Sequence, residues 1–270
     1  MKIFRKILDF YIDGSIHVAL SCFALVQVTQ QYFNIFNNYS MAYFAFFGAI
    51  VGYNFVKYEA LARAKKIQLK DNLKVIAILS FLSLLAAGFY FFQLRTITQI
   101  LSVAFLILTL LYTLPFFPNK KNARNWAGVK IYIVALCWVG VTVVLPVFNA
   151  GILLTSDFYL KCLQRFLLIF VLILIFEIID LAKDDPYLQT VPQQIGVKRT
   201  KQLGFLLLAL FFSLNFFSFI IDVNFEYLSF IIAIVTALFL AFANEKRTKY
   251  YTSFWVESVP ILWWILLLIF

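Results

Sequence analysis

Nine apolar segments, each long enough or nearly long enough to cross a bilayer, divide this chain with hardly any polar sequence between them. They lie at about 15–33, 40–61, 73–92, 97–114, 130–148, 160–181, 203–221, 226–243 and 254–270. A helix needs about 20 apolar residues to cross a hydrocarbon core of about 30 Å. These runs read as helices. The interruptions carry recognisable breakers: Asn37-Asn38, Pro115 with Pro118, Gly151, Pro186 with Pro192, and Asp222 with Asn224. The expected fold is therefore an all-α, polytopic bundle of nine transmembrane helices, forming one domain over residues 1–270.

Composition narrows the function. Of 270 residues, 63% are hydrophobic and only 13% charged, so no polar segment is long enough to bury a second, soluble core. The net charge of +10 is spread over loops between apolar runs, which argues for topology signals and against a nucleic-acid surface. With the N-terminus cytoplasmic, 20 of the 23 Lys and Arg residues fall on inside segments, and Arg95, Lys161 and Arg165 are the exceptions. That bias predicts an integral protein of the cell (inner) membrane, N-terminus in and C-terminus out. At the start, Ile3, Phe4, Ile7, Leu8 and Tyr11 share one helical face, with Lys2, Arg5, Lys6 and Asp9 on the others. Residues 1–13 therefore read as an amphipathic helix lying on the membrane.

Other chemistry finds little support. Cys22, Cys137 and Cys162 are isolated and read as packing residues. His17, the only histidine, has neighbouring serines but no triad spacing, and no Gly-rich phosphate loop occurs. Paired breaks in repeated halves, which would indicate a transporter, are absent from the sequence pattern. Gly48-x-x-x-Gly52 would let a neighbouring helix approach closely, and Gln27, Thr29, Gln30 and Gln31 would line a cavity or bond between helices.

One stretch carries acids. The apolar run Phe166–Phe176 feeds into Glu177, Asp180 and Asp184, spaced i, i+3 and i+7, so a continuing helix puts all three on one face. Acids facing lipid would cost about 2.5–3.5 kcal/mol each near the bilayer centre, so these should face a cavity or the interface. Thr190-Val191-Pro192 and Ile195-Gly196-Val197-Lys198 follow. This succession resembles the second aspartate-rich motif of the UbiA superfamily of membrane prenyltransferases, roughly D-x-x-D-x-x-x-D, T-L-P and L-G-V-K.

The resemblance implies a UbiA-like bundle around a central cavity open to the cytoplasmic side. It also implies transfer of an isoprenyl group from a prenyl diphosphate to a lipophilic acceptor, with Mg2+ bound to the diphosphate. By that likeness Glu177, Asp180 and Asp184 would be the metal ligands, with Asp180 and Asp184 essential to turnover. Asn54, Lys57, Arg63, Tyr112, Arg124 and Lys198 would contact the substrates. The family's first motif, roughly N-D-x-x-D-x-x-x-D, is altered here: Asn54 is kept, while Phe55, Tyr58 and Ala62 take the aspartate positions and Glu59 is one residue out of phase. One Mg2+ site is then expected instead of two. Three outcomes stay open: Lys57 and Arg63 replace the lost positive charge in an active enzyme, the chain binds an isoprenoid or quinone-like lipid without turnover, or the acids only cap helix ends.

Overall fold

The computed structural model describes residues 2–36, 39–63, 71–114, 128–220 and 222–270, and among them there is no strand. The helices are α1 (Lys2–Asp13), α2 (Ile16–Tyr32), α3 (Tyr39–Arg63), α4 (Asp71–Phe91), α5 (Thr96–Thr113), α6 (Lys130–Val139), α7 (Leu145–Ala150), α8 (Ser156–Asp180), α9 (Val191–Ser213), α10 (Val223–Phe242) and α11 (Val259–Ile269). Among the described residues, eight helical stretches are long and apolar enough to cross a membrane; α1 and α2, bent by 59°, bring the number to nine if they count as one. The chain is an integral membrane protein of the all-α class.

α8 is the axis. Its span is 72% buried, against 17% for α4, and Leu168, Val171, Leu174, Ile175 and Ile178 are fully enclosed. α6, α9 and α10 pack on it, and α2 meets α11 to close the ring. The outward residues of α4 and α5 are mostly large and apolar, as lipid-facing surfaces require.

Local chemistry explains several helix ends. Gly151, at φ 69°, stops α7 in the left-handed conformation that glycine tolerates best. Asp222 starts α10 by accepting the Asn224 and Phe225 N–H groups at 3.0 and 3.2 Å. Two spans contain π-helical turns that hydropathy did not reveal: Gly140–Val144 joins α6 to α7, and Tyr251–Val256 leads toward α11.

The close helix approaches differ from expectation. A methyl group on Gly48 or Gly52 would meet nothing within 4 Å, so this pair seats no helix among the described residues. Gly140 instead lies against the Phe105 ring and Gly204 against Leu240. The polar residues of α2 bond between helices: Thr29 Oγ1 donates to the Thr142 carbonyl at 2.6 Å, and Gln31 Nε2 to the Leu267 carbonyl at 3.1 Å.

α1 leaves Phe4 and Ile7 exposed and is clamped on its polar side. The Lys249 ammonium lies 2.8 Å from Asp9 and 3.8 Å from Asp13, and the Tyr250 hydroxyl donates to Asp9 at 2.7 Å. Lys249, then Tyr250, hold the Asp9 carboxyl below its usual range, and Asp9 holds Lys249 above the lysine range. The Asp9 contribution is complete above its unfolded pKa of about 3.9 and is lost as pH falls through its lowered folded value. The Lys249 contribution is complete below about 10.4 and is lost as pH rises through its raised value. The clamp is thus intact across the neutral range. A spin label at position 4 is expected to gain mobility in Asp9→Asn at neutral pH, and in the unsubstituted clamp only below about pH 4. Equal mobility in both at neutral pH would show that the clamp does not hold α1.

Candidate functional site

The acids sit where α8 gives way to α9, but not on one continuous helix. α8 ends at Asp180, and Leu181–Asp184 forms a turn in which the Asp184 N–H still bonds the Asp180 carbonyl at 2.9 Å. Pro186 bars helix immediately before itself, and a short 3-10 turn, Pro186–Leu188, follows with Asp185 accepting the Tyr187 N–H at 3.0 Å. The shared helical face predicted for all three acids therefore stops at Asp180.

Each acid has its own surroundings. Glu177 is 2% exposed, and its Oε2 accepts the Val191 N–H at 3.1 Å, which caps the first turn of α9. A carboxylate there is favoured by the positive end of the helix dipole. Asp180 is half-exposed and pairs with Lys183 at 3.2 Å. Asp184 lies 4.0 Å from Lys130, and its Oδ2 is buried without a hydrogen-bond donor. Thr190 and Gln193 close the other side: the Thr190 N–H donates to Gln193 Oε1 at 2.9 Å, and Gln193 Nε2 donates to the Asp185 carbonyl at 3.2 Å.

α9 breaks at Gly196, whose φ of 78° and ψ of 157° lie outside the helical range. The residues after the break include Lys198, which is exposed and has no hydrogen-bond or ion-pair partner among the described residues. Tyr112 is buried near the end of α5. The side chain of Arg63, at the end of α3, and all of Arg124 lie outside the described residues.

The segment corresponding to the first acidic motif has a clear set of partners. Lys57 Nζ donates to the Ile12 carbonyl at 3.2 Å and to Ser15 Oγ at 3.0 Å. Tyr58 donates its hydroxyl to the Asp13 carbonyl at 2.9 Å, and Asn54 Nδ2 reaches the Gly14 carbonyl at 3.1 Å and Ser80 Oγ at 2.9 Å. Three side chains of α3 thus satisfy the carbonyls at the C-terminal end of α1, where a lysine also complements the helix dipole.

Glu257 escaped the sequence reading. It follows the π-helical turn of the last span. Ser21 Oγ donates to the Glu257 carbonyl, and His17 lies between Tyr11 Oη (2.9 Å) and the Phe254 carbonyl (2.8 Å). An acid inside the apolar run 254–270 was the available signal, because intramembrane ionisable residues are rarely placed without use.

Hard carboxylate oxygens suit Mg2+, and the buried Asp184 Oδ2 has no hydrogen-bond donor. Among the described residues no three His, Cys, Asp or Glu side chains are gathered into a closed cage. A Mg2+ ion held by one or two carboxylates plus substrate phosphates needs none, so the donor set fits a metal carried in with a diphosphate.

No protein-family model matches the chain, and no curated protein matches it in sequence. Solved structures do match. A UbiA homologue from Aeropyrum pernix K1, in its apo form, superposes with a TM-score of 0.69 at 15% identity, over 94% of this chain and 98% of the other. A UbiA homologue from Archaeoglobus fulgidus bound to Cd2+ gives 0.60 at 13% identity, over 94% and 97%. A digeranylgeranylglyceryl phosphate synthase structure, described in membranes, gives 0.56 at 15% identity, over 100% and 97%. The chain has the fold of these proteins over 94–100% of its length.

Proposed function

We propose, taking the UbiA fold as the premise, that this chain belongs to the UbiA superfamily and is an intramembrane prenyltransferase. It would move an isoprenyl group from a prenyl diphosphate to a lipophilic acceptor. The observation that carries this reading is the acidic corner between α8 and α9. It combines Asp180 beside Lys183, Asp184 beside Lys130 with an oxygen left unbonded, and unpaired Lys198 beyond the Gly196 break. An α8 span that is apolar from Phe166 to Phe176 and ends in carboxylates suits a substrate with an apolar tail and an anionic head.

In this reading Asp180 and Asp184 would hold one Mg2+ together with the diphosphate oxygens, Lys198 would contact the phosphates, and Glu177, expected as a third ligand, is committed to the Val191 N–H. When bound, the ion neutralises charge that builds on the departing diphosphate. The bond between the first prenyl carbon and its oxygen breaks, and its electron pair leaves with the diphosphate. The acceptor nucleophile then bonds to that allylic carbon and loses a proton. Glu177 positions the site by fixing the start of α9, while Asn54, Lys57 and Tyr58 hold the α1 corner. The N-terminus would be cytoplasmic, α1 would lie on the inner surface, and a cavity facing that side would admit the diphosphate.

A second reading has its own support. Asn54, Lys57 and Tyr58, which stand in the segment of the first acidic motif, are committed to the α1 corner and supply no carboxylate. A non-catalytic chain that binds an isoprenoid or quinone-like lipid would have this asymmetry. Mass spectrometry of lipids extracted from the purified protein separates the two. Prenyl diphosphate, with Mg2+-dependent release of diphosphate on adding an acceptor, is the expected result. A finished quinone or carotenoid-like lipid with no release would establish the binder.

A further inference from the structure

The outer half of the bundle holds charges that the proposed transfer does not use. Asp157, Lys161, Gln164 and Arg165 lie within the first three turns of α8. Arg165 is 5% exposed and sits about 14 Å along the helix from Ser156. Its Nη1 donates to the Leu25 carbonyl at 3.1 Å and to Thr142 Oγ1 at 2.8 Å, and its Nη2 donates to Thr29 Oγ1 at 3.2 Å. All three acceptors are neutral. Among the described residues no carboxylate lies within ion-pair distance of this guanidinium, and three bonds leave part of its five-donor capacity unused.

Lys161, one turn nearer the surface, is similarly underprovided. Its ammonium lies 4.0 Å from the centroid of the Tyr32 ring and 3.5 Å from Asn215 Oδ1. The nearby acids are engaged elsewhere. Asp157 Oδ1 accepts from Tyr32 Oη at 3.2 Å, Ser218 Oγ at 2.6 Å and the Phe219 N–H at 3.0 Å. Asp222 caps α10. Glu226 is half-buried in the first turn of that helix and makes no ion pair with this ammonium among the described residues.

Between these groups is a cavity of about 20 Å³, lined by Thr29, Tyr32, Lys161, Gln164, Arg165 and Trp263 among others. The Trp263 Nε1–H is buried and has no acceptor. Asn215, whose Oδ1 already receives Gln164 Nε2 at 2.7 Å, has a buried Nδ2 that also lacks one. The surroundings therefore supply donors and positive charge in excess of acceptors. A water molecule fits the volume, but it brings no charge to two cations that have no carboxylate within ion-pair distance among the described residues. A monatomic anion accepts every donor present and needs no acceptor in return.

We propose that this cavity is a binding site for a small monovalent anion of the chloride class, held by Lys161, Arg165 and the Trp263 N–H. The site stands apart from the acidic corner and from the prenyl-transfer reading. Thermal unfolding of the purified protein tests it, comparing chloride with gluconate at equal ionic strength near ~0.15 M. The melting temperature is expected to be about 3–5 °C higher in chloride, with bromide matching chloride. Lys161→Gln and Trp263→Phe should each raise the half-saturating chloride concentration at least about tenfold. Trp263→Phe removes one N–H and keeps most of the packing, so it remains informative where Lys161→Gln fails to fold. Equal melting in the two salts would overturn the proposal, as would a chloride dependence that both variants leave unchanged. Crystals grown in bromide should show an anomalous peak in the cavity, and a water alone there would likewise overturn it.

Discussion

Replacing Asp180 and Asp184 together by alanine is expected to lower Mg2+-dependent release of diphosphate at least about a thousandfold, while the protein still inserts and folds. Carboxylates that hold a metal on a leaving diphosphate control several kcal/mol of transition-state stabilisation, and about 4 kcal/mol is a thousandfold in rate. The fold should tolerate the change. Asp180 is half-exposed beside Lys183, and Asp184 meets Lys130 only at 4.0 Å. Partly exposed pairs of this kind contribute about 0–1 kcal/mol. Glu177→Ala would be a poorer probe, because it also removes the acceptor that starts α9. Release of diphosphate at the original rate in the double variant would remove these acids from the mechanism.

Lys57→Met should act on a different part of the molecule. The methionine keeps the apolar stem and loses the ammonium that holds the Ile12 carbonyl and Ser15 Oγ. Hydrogen bonds to a charged group contribute about 1.5–3 kcal/mol, so the α1–α2 corner should open more often by about tenfold to a hundredfold. Amide exchange at Gly14 and Ser15 reports that opening. Diphosphate release per folded molecule should fall far less than in the double aspartate variant. Unchanged exchange combined with a collapse in turnover would place Lys57 on the substrate instead.

The spans were readable in sequence because hydropathy is a property of each residue summed over a window. Breakers such as Gly151 and Asp222 then act on their immediate neighbours. The acidic corner was readable for the same reason, and its helix end was misplaced only from Asp180 to Asp184. What escaped depends on partners far apart in the chain. Arg165 looked like a topology exception, yet its acceptors are Leu25, Thr29 and Thr142. Lys57 and Asn54 looked like phosphate ligands, and each donates to a carbonyl near the end of α1 and to a serine hydroxyl. Gly48 and Gly52 had the spacing for close packing, but spacing does not say which face a neighbour occupies. Gly140 and Gly204, without that spacing, make the tight contacts.

The wide turn at Tyr251–Val256 sets the phase of everything that follows it. An α-helix advances about 100° per residue, so removing one residue there would turn α11 by about that angle relative to the chain before it. His17 would still meet Phe254, yet Trp263 would swing off the Arg165 guanidinium, 5.9 Å from its ring. One surplus residue in the backbone thus keeps two distant polar centres, one around His17 and one around Arg165, simultaneously in step.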